Sequence, residues 1–96
     1  MNVFELLNDQ EQQQIYDYAT NNVSNLDKNK LKTLFNSYDQ AKNNNDNKTA
    51  AKLELLASEF FRLSRNRDLK HILCKWLVEL PSYIFEPKKS STLILN

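Results

Sequence analysis

The chain contains no glycine at all. Glycine supplies positive φ at tight turns and lets backbone approach a ligand closely. Its absence excludes a Walker loop, a dinucleotide-binding loop and a nucleophile elbow, and with them hairpin turns of the Asn-Gly or Asp-Gly kind. A single cysteine, Cys74, rules out an internal disulfide, so packing must hold the fold, and the chain suits a reducing compartment. A single histidine, His71, leaves Cys74 as its one companion for zinc, two ligands short of a closed site. No apolar run approaches the ~20 residues of a membrane span. The N-terminus lacks a basic-then-apolar export signal, and the expected location is the cytoplasm.

What is present reads as helices. Asn8 followed by Glu11 is a helix N-cap with its reciprocal glutamate, and Leu7 stands where a hydrophobic staple begins. Ile15, Tyr18, Ala19 and Asn22 then share a face, giving a first helix over 9–22 that a left-handed asparagine at 21–22 can end. A second helix is predicted over 25–43, capped by Ser24, with Leu31, Leu34, Phe35 and Tyr38 as its stripe. The asparagine-rich stretch 43–47 is a helix–helix connection.

The third predicted helix, about 48–65, has the cleanest pattern, with Leu53, Leu56, Ala57, Phe60 and Ser64 in line and Leu55 nearly opposite. Asp68 can cap a fourth helix bearing Leu69, Ile72, Leu73, Trp76, Leu77 and Leu80. Pro81 disfavours a helical Leu80 and so ends it. Nothing at 66–67 forbids one long bent helix in place of the last two. The expected fold is all-α, an antiparallel four-helix bundle over 1–86 with a C-terminal tail over 87–96. Its core is predicted to join Leu31, Leu34, Phe35, Leu53, Leu56, Phe60, Leu69, Ile72, Leu73, Trp76 and Leu77.

Charge is spread unevenly. Residues 1–27 carry five acids and no Lys or Arg, whereas 28–96 carry thirteen bases against seven acids. An acidic first helix lying against basic later ones accounts for this, and a basic binding face at the far end is the sharper alternative. The run Arg62, Arg65, Arg67, Lys70, Lys75 could hold phosphates. A recognition helix, however, needs exposed base-reading side chains, and the fourth helix commits a wide face to apolar residues. Nucleic acid is therefore the less favoured partner. His71 and Cys74 lack an orienting third group and an oxyanion donor, and the carboxylates show no local pairing. The reading is a non-catalytic protein that uses neither metal nor organic cofactor.

From about residue 27 to 89 the layout resembles the immunity proteins that protect lactic-acid bacteria against their own class II bacteriocins. The stretches that carry it are Leu31-Lys32-Thr33-Leu34-Phe35, the polar connection at 43–48, and Leu53-Glu54-Leu55-Leu56-Ala57-Ser58-Glu59-Phe60-Phe61. A basic junction into a final helix with a tail follows. The resemblance implies an antiparallel four-helix bundle acting from inside the cell on the mannose phosphotransferase permease with its bound bacteriocin. It also implies that the last helix and tail set specificity, which places partner binding at Lys70, Lys75, Trp76, Tyr83, Ile84 and Phe85. The rival class is a small phage- or plasmid-encoded protein that binds and blocks a host protein. A third is a DNA-binding regulator using the 62–75 basic run.

Overall fold

The structure, a computed structural model, describes residues 3–80. Its elements are α1 (Val3–Leu6), α2 (Asp9–Asn22), a 3-10 turn (Val23–Asn25), α3 (Lys28–Asn43), α4 (Asn47–Leu63) and α5 (Arg67–Glu79). The fold is all-α, and its four long helices form a bundle organised around α4. That helix packs against α1, α2, α3 and α5, whereas α2 and α3 touch each other little.

Local chemistry sets each boundary. The capping box at α2 is complete: the Glu11 N–H donates to Asn8 Oδ1 at 2.8 Å, and the Asn8 N–H donates to Glu11 Oε1 at 3.0 Å. Leu7 is buried in a cluster with Val3, Ala51 and Leu55, against which Ile15 and Tyr16 of α2 also pack. At the far end Asn22 keeps a negative φ, and α2 tightens into the 3-10 turn instead of ending in a left-handed asparagine. The next helix consequently starts at Lys28, later than residue 25, and its cap is Asp27 in place of Ser24: Asp27 Oδ1 accepts from the Lys30 N–H at 2.8 Å.

Asparagine does replace glycine at one place. Asn45, at φ 57°, is the one positive-φ residue among those described. Around it the Asp46 N–H donates to the Ala41 carbonyl at 2.8 Å and the Asn45 N–H to the Lys42 carbonyl at 3.1 Å. This is a Schellman closure with asparagine in the left-handed position. Asp46 at once caps α4 by accepting from the Thr49 N–H.

α4 and α5 are separate helices. Ser64 is extended at ψ 140°, and α5 is capped by Asn66 and not by Asp68. The Asn66 side chain accepts from the N–H groups of both Asp68 and Leu69, at 2.9 and 3.2 Å. Leu80 is extended, as expected for the residue before Pro81.

The largest core cluster joins Leu31, Leu34, Phe60, Leu69, Leu73 and Leu77 with the small Ala19 and Ala57. Five predicted core residues are only half-buried: Phe35, Leu53, Leu56, Ile72 and Trp76. A second cluster was not legible in the helical stripes. Val3 and Leu7 close over Ala51 and Leu55, so Leu55, opposite the main stripe, is buried beneath α1. A third cluster, Tyr38, Ala41 and Ala50, lies where Trp76 and Leu80 pack.

Candidate functional site

Two of the half-buried core residues, Leu53 and Leu56, owe their exposure to one cause. α2 and α3 flank α4 without closing on each other, and the stripe of α4 between them stays open. The recess is about 490 Å³. Among the described residues, Leu53, Leu56 and Phe60 form its floor, Leu26, Lys30, Thr33, Leu34 and Ser37 one wall, and Tyr18 and Asn22 the other. A smaller recess of about 280 Å³ shares Tyr18, Leu53 and Leu56 and extends the groove to Gln14, Ile15 and Lys52.

The sequence of α2 explains the gap. Its apolar residues are few, and Ala19 is the one buried side chain in a helix otherwise rich in glutamine, asparagine and acid. Such a helix has a stripe wide enough to seat on α4, but too narrow to reach α3 as well. Tyr18 is left 55% exposed on the groove's edge. An exposed aromatic beside half-open leucines, rimmed by polar side chains, has the composition of a protein-recognition surface.

The electrostatics of the groove are simple. Lys30 Nζ donates to the neutral Asn25 carbonyl at 2.8 Å. Lys52 Nζ lies 3.8 Å from Glu11, which is held more closely by Lys48 at 2.8 Å. Those contacts put the acidic α2 against the basic start of α4, so the opposed charges of the two parts of the chain meet in part inside the fold. The Lys48 hydrogen bond, with the Asn8 N–H second, keeps the Glu11 carboxyl below its ordinary value.

Of the sequence-predicted partner residues, the three that are described, Lys70, Lys75 and Trp76, stand in different surroundings. Lys70 is half-buried with its ammonium 5.0 Å above the Phe61 ring. Lys75 is exposed, beside exposed His71 and Val78. Trp76 turns inward, stacked on Phe35 and edge-on to Tyr38. Tyr83, Ile84 and Phe85 lie outside the described residues, as does the 87–96 tail.

Of the basic run, Arg62 is engaged within α4, its Nη2 2.7 Å from Glu59 Oε1, and this bond holds the guanidinium's proton more tightly than usual. Arg65 and Arg67 are exposed. Among the described residues, no three His, Cys, Asp or Glu side chains are grouped to hold a metal ion, and no helix is long and apolar enough to cross a membrane.

The buried polar pair Tyr38–Glu54 lies between α3 and α4. Glu54 is fully buried, a placement its polar character hid. Burial first, then the Glu54 and Asp39 charges, push the Tyr38 phenol up to about 12.

Compared with known protein families, curated proteins and solved structures, the chain matches none.

Proposed function

We propose that this protein acts by binding another protein, without catalysis, and that its role is immunity to a class II bacteriocin. In this reading it protects the producing cell by engaging a membrane receptor complex from the cytosolic side. The observation that carries protein binding is the open groove over α4, where Leu53, Leu56 and Tyr18 remain accessible to a partner. Helical side chains spaced for a core yet left half-open are the mark of a surface completed by another molecule. The specific role draws its support from the resemblance over 27–89.

The test is protection. Bacteriocin-sensitive cells expressing the chain should survive class II bacteriocin, and the tagged chain should co-purify with the permease only when bacteriocin is present. Sensitivity unchanged across a panel of class II bacteriocins, with no permease recovered, would overturn the immunity role.

A further inference from the structure

We infer that the groove between α2 and α3 takes one short amphipathic helix of the partner, apolar on the buried face and bearing carboxylates about two turns apart that meet Lys30 and Lys52. This rests on the protein-binding reading above and names the chemistry of what is bound.

Length comes first. The floor runs along α4 from Lys52 to Phe60, which at 1.5 Å per residue is roughly 12 Å. That matches about two turns of a guest helix, enough for three anchors at i, i+3 or i+4, and i+7. The floor offers Leu53, Leu56 and Phe60 in helical spacing, and Tyr18 overhangs its middle, shared by both recesses.

Charge decides the sign of the guest. The charged side chains lining the groove are Asp27, Lys30 and Lys52. Asp27 is committed to capping α3, where it accepts the Lys30 backbone N–H. Lys30 spends its ammonium on a neutral carbonyl, and Lys52 is the more distant of two cations sharing Glu11. Both ammonium groups therefore have electrostatic capacity left for a carboxylate, one toward each end of the groove. A guest helix with basic flanks would meet like charge at both ends. The chain's own 81–96 segment fits this pattern less well, since it carries Lys88 and Lys89 against the single acid Glu86.

The probe is a synthetic helix-stabilised peptide of about three turns, with leucines at i, i+4 and i+7 and glutamates on its flanks, paired with a copy in which lysines replace the glutamates. Binding to the full chain is measured by fluorescence anisotropy at low salt and mapped by amide chemical shifts. The acidic peptide should bind with shifts centred on Tyr18, Leu53 and Leu56, about tenfold more tightly than the basic one. Lys30→Glu with Lys52→Glu should abolish or reverse that preference. Tyr18→Ala, at an exposed position that folding does not need, should weaken both peptides.

Equal affinity for the two peptides, or shifts mapping elsewhere, would overturn the inference. So would groove signals that move when Leu93, Ile94 and Leu95 are changed to Ser, or a concentration-dependent dimer lost on Tyr18→Ala, because the occupant would then be the chain itself. Protection read in parallel separates the two proposals. Protection retained by the Lys30/Lys52 and Tyr18 variants leaves the immunity role standing and removes the groove. Peptide discrimination without any protection leaves the groove and removes the immunity role.

Discussion

Trp76 stacks on Phe35 with ring centroids 4.5 Å apart and planes 22° from parallel, tying α5 to α3 across the top of the bundle. Tyr38 meets the same indole edge-on at 5.0 Å. These contacts matter because α5 otherwise reaches the fold chiefly through α4. Trp76→Ala is expected to cost about 2–4 kcal/mol, below the full-burial figure because the indole is only half-buried. Phe35→Ala should cost less than Trp76→Ala, and the double variant less than the two together, because both remove the same stack. Urea denaturation of the four proteins checks this, and strict additivity would mean that the rings are neighbours without being coupled.

The alkaline limb of stability should report on Tyr38. Its phenol titrates at about 12 in the fold because of burial first and the Glu54 charge next, against an ordinary value near 10. A folded-state pKa raised in this way contributes stability that is complete below pH 10. It is lost as pH rises from there through 12, because the unfolded chain gives up the proton first. Tyr16 is shifted in the same direction by burial, so the wild-type slope contains both. Tyr38→Phe should flatten the part due to Tyr38 and leave stability below pH 10 without that pH dependence. Parallel unfolding curves for wild type and variant from pH 8 to 12 would count against the raised phenol.

The four long helices were legible because i, i+3, i+4 spacing is a strong signal where the apolar residues are large, as with Leu31, Leu34 and Phe60. Caps were legible where one side chain had no rival, as with Asn8 and Glu11. They were misread where two candidates stood close together: Ser24 against Asp27, and Asp68 against Asn66. The α1 turn escaped because four residues show no period, and its effect on Leu55 is a tertiary contact that helical spacing does not encode. Glu54 escaped because a carboxylate gives no apolar signal of the burial it has in the fold. The groove was hidden by a sound inference. Leu53 and Leu56 do have core spacing, but whether a core position is covered depends on how far the neighbouring helix reaches, and α2 carries too few apolar residues to reach α3. Of the predicted partner residues, Lys75 is exposed and Trp76 largely committed to its ring contacts.

The α1 turn should behave as a lid clasped to α4. Val3 and Leu7 are buried over Ala51 and Leu55, and a single helical turn has no stability of its own in water. Leu55→Ala should therefore cost about 2–5 kcal/mol and raise amide exchange in 3–7 well before the rest of the fold opens. Val3→Ala should raise the same exchange with a smaller stability loss, because it removes less buried surface. Uniform exchange across the molecule in both variants would show that α1 unfolds with the bundle and is not a separately opening unit.

Any share of specificity that α5 and the segment beyond it add to the groove's can be separated by charge. Lys75 is exposed and free of the packing that holds Trp76, whereas Lys70 covers the Phe61 ring at 5.0 Å. Lys75→Glu should leave the melting temperature nearly unchanged, since an exposed charge away from such contacts contributes within about 0.5 kcal/mol. Lys70→Glu removes a cation from an aromatic face and should cost roughly 0.5–1 kcal/mol. If the last helix sets partner choice, as the resemblance implies, both reversals reduce protection while the fold persists. Changing Tyr83, Ile84 and Phe85 to Ser, or deleting 87–96, provides the companion measurement. Loss of protection with helicity and melting temperature intact assigns those residues to the partner. Loss of the fold assigns them to the bundle, and Lys75→Glu, which touches no packed contact, then decides whether α5 faces the partner. Full protection in all of these variants would leave recognition to the groove and remove α5 and the tail from it.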